Sequence, residues 1–361
     1  MKKIILMVAV AIMTAMSAQA QKIQVVDNDG NAIPLVSVMN EDGTYIGTTD
    51  LNGVLADVRG AAKVAVTHVA YKPQLVTIAS LQDGRISMED IDYGIREVVV
   101  MPKPYLYVEY YYRAFSYIGD SLRVYTAGIL PVAHDIQKDF KGKAQGYWAF
   151  GGAANKALTW NTLDLEENVK GGAENAARPI ESRLTNNKKF ETSIEPEGKN
   201  SFVIKNPEEV LGHIVHSDGL SYATLDIDRL RIYGERAHGN KKLAKFMEDR
   251  NYTYRFTQVF RLDDEGKEQP ENFMMEQAHI EYDKKDGGRK ILVAYIYAVD
   301  KGYMDKAEVK ARSKAISKPY SGDMSLDELA AYERAHNIPA LSPEQQKAIQ
   351  SLKKQTGKKK K

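Results

Sequence analysis

The chain of 361 residues contains no cysteine. Disulfides, thiolate metal sites and cysteine nucleophiles are thereby excluded, and stability must come from packing. The same absence removes the residue that bacterial lipoproteins acylate, so no lipid anchor of that kind is expected. An excess of charge of one sign is also missing: 50 Lys and Arg against 48 Asp and Glu leave a formal net charge of +2. That balance argues against a globally basic nucleic-acid binder, and no nucleic-acid partner is expected. Long apolar runs are absent after the first twenty residues, so no later segment supplies the ~20 residues that a membrane-spanning helix needs. There is no Gly-x-Ser-x-Gly elbow, phosphate loop or dinucleotide fingerprint, and no cofactor is predicted. Tryptophan is scarce, with 2 residues against 9 Phe and 21 Tyr. Tyrosine pairs an aromatic body with one polar end and suits half-buried sheets.

What is present begins with a leader. Lys2 and Lys3 precede an apolar stretch from Ile4 to Met16, and Ser17-Ala18-Gln19-Ala20 offers a cleavage site before Gln21. This predicts a signal peptide over residues 1–20. Its removal takes away Lys2 and Lys3 and leaves no net side-chain charge. The expected location is across the inner membrane, in the periplasm or associated with the outer membrane, and not as a lipoprotein.

Residues 21–101 alternate short apolar runs with turns marked by Asp, Asn and Gly. Val25-Val26 leads into Asp27-Asn28-Asp29-Gly30, and Val36 and Val38 share one face of the next strand. Strands are expected over Tyr45–Thr49, Val54–Val58, Lys63–Val69 and Arg96–Met101, with glycines 30, 43, 53 and 60 at the turns. Such spacing predicts an all-β sandwich. Pro102-Lys103-Pro104 reads as a stiff linker. The order Val-x-Asp-x-x-Gly, Ile33-Pro34-x-Val36-Ser37-Val38, Gly43-Thr44-x-x-Gly47-Thr48-Thr49-Asp50-x-x-Gly53 and Tyr71-Lys72-Pro73 resembles the carboxypeptidase regulatory-like domain, a transthyretin-like β-sandwich. Glu97-Val98-Val99-Val100 resembles the strand that often follows this domain in bacterial envelope proteins, including TonB-dependent receptors. Leu35 stands where the family usually has Gly, Val54-Leu55 replaces an aromatic, and Ala70 replaces a Gly. The resemblance implies a non-catalytic accessory module.

Residues 105–303 read as a second, β-rich domain: a curved antiparallel sheet or partial barrel with a few helices. Tyr105 to Ile118 runs without Gly or Pro. Its odd positions include Tyr107, Tyr111 and Phe115, and its even positions Leu106, Val108 and Tyr110. Gly119-Asp120 then turns the chain into Ser121–Ile129, a hairpin. Further strands are expected at Tyr147–Phe150, Phe190–Ile194, Ser201–Lys205, Tyr222–Tyr233, Tyr252–Leu262, Phe273–Tyr282 and Lys290–Val299, and helices at Ala173–Leu184 and Lys241–Asp249. Charges such as Arg255, Arg261, Glu276 and Glu281 interrupt these strands and argue against a lipid-facing barrel. In residues 304–361 a capping box at Ser325-Leu326-Asp327-Glu328 and a second start at Ser342-Pro343-Glu344-Gln345 predict a helical hairpin, either a peripheral flap on the sheet or a partner-binding arm. The run Lys358 to Lys361 reads as a solvated tail, or as a contact to an anionic membrane surface.

One local set of metal-competent residues stands out: His213, His216 and Asp218. On a helix, residues three apart share a face; on a strand they point opposite ways. The set lacks the Glu of a zinc-protease helix and an obvious third ligand, so a loop is the alternative reading. Asp27, Asn28 and Asp29 are too compressed for a calcium loop and read as a turn. His68 reads as a packed strand residue. Arg113, Arg123, His134 and Asp135 line either a cleft or a sheet face bearing ion pairs. Three functions follow: an exported, non-catalytic envelope protein that binds a ligand or envelope partner through its Tyr-rich sheet; a hydrolase, metal-dependent if His213, His216 and Asp218 converge; or a scaffold.

Overall fold

A computed structural model describes residues 22–91, 103–138, 140–154, 169–185, 190–285, 287–317 and 324–357. In the N-terminal module the apolar runs become β1 (Ile23–Val26), β2 (Ser37–Asn40), β3 (Tyr45–Thr48), β4 (Val54–Leu55), β5 (Lys63–His68), β6 (Tyr71–Thr77) and β7 (Arg85–Ser87). They make two sheets, ordered β4-β1-β7 and β3-β2-β5-β6. Ile23, Val25 and Ile86 of the first and Val38, Val64 and Val66 of the second belong to one apolar cluster, so the module is a sandwich. The expected strand at Val54–Val58 shortens to two residues, and the one at Arg96–Met101 lies outside the described residues. Gly53 is required where it stands: a Cβ there would come 2.4 Å from the Val25 carbonyl oxygen. Leu35 carries a left-handed φ of 60° and is fully buried.

The rest of the chain builds one large sheet. Its strands are β8 (Tyr105–Ile118), β9 (Ser121–Asp135), β10 (Lys141–Ala144), β11 (Trp148–Ala154), β12 (Ser193–Pro196), β13 (Ser201–Lys205), β14 (Val210–Ser217), β15 (Leu220–Asp226), β16 (Thr253–Leu262), β17 (Glu268–Asp283) and β18 (Arg289–Met304). The order is β10-β9-β8-β18-β17-β16-β15-β14-β13-β12, with β11 also on β9, and the sheet is open. Helices cover it: residues 169–176 (α1), α2 (Ile180–Thr185), α3 (Ile227–His238), α4 (Lys241–Asp249), α5 (Lys306–Ser317), α6 (Leu326–Ala335) and α7 (Pro343–Gly357). No described helix is long and apolar enough to cross a membrane.

Strand periodicity then sorts the side chains into layers. Odd residues of β8 (Tyr107, Tyr111, Phe115) and of β18 (Val293, Tyr295, Tyr297) enter the same cluster as the sandwich and α5–α7. Even residues (Leu106, Tyr110, Tyr112, Leu292, Ile296) face the other way, against Val169, Ala173 and Ala176 of α1. Both faces of the Tyr-rich strand are therefore core, which explains its near-continuous apolar run.

Several expectations are corrected. The single helix expected at Ala173–Leu184 divides before Pro179 into α1 and α2, and the strand expected at Phe190–Ile194 lies instead at Ser193–Pro196. Tyr222–Tyr233 is strand only to Asp226, and α3 follows. Asp226 occupies the helix N-cap and Gly239 (φ 124°) ends the helix, so an acidic cap and a glycine stop override the β-branched residues. The C-terminal helices are also not a peripheral flap. The capping box at Ser325 and Glu328 forms as expected. Beyond it, Leu329, Leu341 and Ile349 join the main core. Glu333 and Arg113, 2% and 5% exposed in their side chains, pair at 3.4 Å. The Glu333 carboxylate also accepts from the Tyr111 hydroxyl at 2.6 Å.

The sandwich is pinned to the sheet and to α7 by polar contacts, those of Gln277 buried. Gln277 of β17 accepts from the Val69 N–H at 3.0 Å and donates to the Leu35 carbonyl at 2.6 Å. Thr48 meets His279 Nδ1 at 3.1 Å. Lys347 of α7 donates to the Glu41 carbonyl at 3.2 Å. These contacts fix how the two parts face each other, and with it the cavity between them.

Candidate functional site between the sandwich and the sheet

A cavity of about 270 Å3 opens where the sandwich meets β13–β16. On the sandwich side it is lined by the Asp27–Pro34 turn, Leu51, Asn52, His68 and Tyr71, and on the sheet side by Ser201, His213, Val215, Tyr222, Thr224 and Thr257. The sheet residues fall there by register. Ser201 pairs with Val215, and Val203 with His213, so alternate residues of β13 and β14 share the face turned to the sandwich.

His68 ends β5, where the ladder with β6 slips. It is 4% exposed. Its Nδ1 accepts the Ala70 N–H at 3.3 Å, which places the ring proton on Nε2. That N–H is buried and has no hydrogen-bond partner among the described residues. Burial pushes the imidazole pKa down to about 3, so the ring is neutral. An unpaired buried donor costs ~1–3 kcal/mol and calls for an acceptor. Tyr71 lies 5.2 Å from the His68 ring and stacks at 6.0 Å on Tyr222. Burial, followed by Tyr222 and Asp90, pushes the Tyr71 hydroxyl upward and keeps it a donor. Nearby Asp90 is raised to about 6 by burial and by Asp27, Asp218 and Asp29. The mouth is thus acidic. Thr224 and Thr257 share a hydrogen bond at 2.9 Å on the floor.

Asp27 is committed to its own turn. Its carboxylate accepts the Asp29 and Asn31 N–H groups at 2.9 and 2.8 Å and the Asn31 side chain at 2.9 Å. The loop therefore closes without a cation, in line with its reading as a turn.

The residues singled out for metal binding do not converge. His213 and His216 lie on β14, three apart, and point to opposite faces. His213 faces the cavity, its Nδ1 3.3 Å from Glu197 Oε2. His216 turns away and packs on Phe202 at 5.3 Å. Asp218 (φ 50°) and Gly219 (φ 74°) form the two-residue turn joining β14 to β15. Among the described residues no group of three or more His, Cys, Asp or Glu is placed to hold a metal. The hairpin signal was in the sequence: Asp-Gly between alternating apolar residues favours two positive φ angles. The other cleft candidates separate too. Arg113 is buried against Glu333, whereas His134 bonds Tyr110 on the opposite face of the sheet at 2.8 Å. His68 and Tyr222 were not legible as partners, because 154 residues of sequence separate them and only the docking of sandwich on sheet brings them together.

No protein-family model matches this sequence, and no curated protein matches it.

Proposed function

We propose that the protein is an exported, non-catalytic component of the cell envelope that holds a small polyhydroxylated ligand, such as a single neutral or amino-bearing sugar ring, between its sandwich and its large sheet. Export rests on the leader-like residues 1–20, and the accessory role of the sandwich on its resemblance to carboxypeptidase regulatory-like domains. The observation that carries the ligand assignment is the buried, unpartnered Nε2–H of His68 beside the Tyr71–Tyr222 wall. A ring of this kind presents an apolar face to an aromatic wall and hydroxyl acceptors to buried donors. The Asn52 side chain, Ser201 and the Thr224–Thr257 pair supply further polar groups at the rim and floor. The acidic mouth disfavours anions.

The test is saturation-transfer NMR on the mature protein with glucose, galactose, mannose, N-acetylglucosamine and glucosamine, each at about 10 mM, a range suited to weak single-ring contacts. At least one sugar should show transfer that Tyr222→Ala abolishes. Absence of transfer from all five, or transfer unchanged in the variant, overturns the assignment.

A second reading, acyl hydrolysis, is favoured by one observation: Glu197, His213 and Ser201 line this same cavity, with His213 held by Glu197. It requires His213 to take the Ser201 proton. Labelling of the protein by a fluorophosphonate probe, lost in Ser201→Ala, would select this reading over simple binding.

A further inference from the structure

A second concavity, of about 620 Å3, lies at the other edge of the large sheet, between β9, β10 and the start of α5. Tyr105, Ala133 and Val309 form its apolar wall. Five lysines (Lys138, Lys141, Lys143, Lys306 and Lys310) face two carboxylates, Asp135 and Glu174, a net charge of +3.

Both carboxylates are engaged. Asp135 pairs with Lys138 at 3.0 Å. Glu174 accepts the Ala144 N–H at 2.8 Å. Lys141, Lys143, Lys306 and Lys310 are left without an ion-pair partner among the described residues. Lysines elsewhere are mixed: Lys63 pairs with Glu41 at 3.0 Å, Lys103 with Glu308 at 2.6 Å, Lys205 with Glu195 at 2.6 Å and Lys267 with Glu265 at 2.7 Å, so what sets this cleft apart is the convergence of its lysines on one concavity. The four free cations are positioned by the fold. Lys141 and Lys143 are alternate residues of one strand, on its exposed side. Gly142 between them lies so close to α1 that a Cβ would stand 2.4 Å from the Glu174 carbonyl oxygen, which holds β10 in place. Lys306 and Lys310 are four apart on α5 and share a helix face.

With Asp135 and Lys138 paired, four lysines against the Glu174 carboxylate leave a net charge of +3 around one concavity, and these like charges repel one another in a chain that is otherwise close to neutral. A multivalent anion removes that repulsion. Lysine ammonium groups are point-charge donors suited to phosphate oxygens. We infer that this cleft is a binding site for an anion bearing at least two phosphate groups, either soluble or carried as a lipid headgroup. The site is separate from the interdomain cavity, being at the opposite edge of the sheet.

The experiment is isothermal titration of the full mature chain with sodium tripolyphosphate at low salt. Binding should occur, and Lys141→Glu with Lys310→Glu should weaken it by at least about tenfold, as loss of two charge contacts implies. Lys63→Glu with Lys72→Glu, on the sandwich, serves as the charge-matched control and should leave affinity unchanged. Competition by vesicles of phosphatidylcholine and cardiolipin, a lipid whose headgroup carries two phosphates, assigns the phosphates to a headgroup; its absence assigns a soluble anion, and either supports the site. No binding of tripolyphosphate at about 1 mM, an equal loss in the control variant, or equal displacement by citrate overturns the proposal.

Discussion

Single residues hold this molecule in positions that oppose their own preferences, and each opposition has a measurable consequence. Leu35 adopts a φ of 60° and is fully buried. The left-handed backbone costs a leucine ~1–2 kcal/mol. Removing its buried side chain costs more, ~2–5 kcal/mol. Leu35→Gly should therefore destabilise the fold by about 1–3 kcal/mol in denaturant titration despite relieving the backbone. Asp228 is a second case. Burial and then neighbouring Asp226 raise its pKa to about 8 from 3.8. Asp228 thus keeps a proton, which its side-chain hydrogen bond with Asp226 holds in place. Because the folded state holds this proton and the unfolded state releases it, stability from this residue declines as pH rises from about 4 to about 8. Asp228→Asn should remove that component, so the stability of the variant relative to wild type should rise across this window. A parallel pH course for the two proteins would contradict it.

At the scale of elements, α6 is held by a buried charge. The pair Arg113–Glu333 sits in the core at 3.4 Å, with Arg113 also donating to the Pro339 carbonyl at 2.7 Å. Removing one partner strands the other. Glu333→Ala should cost about 3–5 kcal/mol, and the double change Arg113→Met with Glu333→Leu less than the single one. Chemical denaturation of the three proteins checks the order. Elements were also what the sequence rendered most unevenly. Tyr105–Ile118 and Ser201–Lys205 were legible to the residue, because uninterrupted apolar runs bounded by turn residues admit few alternatives. β14 was not, since His213 and His216 invited a metal reading and the Asp218-Gly219 turn between alternating strands was passed over. α3 was misassigned because Ile232 and Tyr233 suit either state, and its acidic cap decided the matter. Of the interdomain cavity, only the individual residues were visible in sequence, never their meeting.

The whole molecule behaves as one packed unit and not as beads on a linker. Sandwich, large sheet and C-terminal helices contribute to a single apolar cluster, and Gln277 and His279 tie them through buried hydrogen bonds. The sandwich and the sheet should consequently unfold in one calorimetric transition. Two well-separated transitions, with the N-terminal module melting alone, would contradict this coupling. The same coupling is what makes the interdomain cavity a fixed feature, with the His68 donor held beside Tyr71 and Tyr222.

The most direct test of that site is the side-chain nitrogen NMR of His68 in protein labelled with 15N-histidine, followed through pH and through addition of the sugar that shows saturation transfer. The account predicts a neutral ring protonated at Nε2 from pH 8 down to about 5, given a pKa near 3, with an Nε2 resonance that shifts on sugar addition while that of His134 stays in place. A ring that titrates near its ordinary value of 6.5, or an Nε2 signal that no sugar moves, would contradict it.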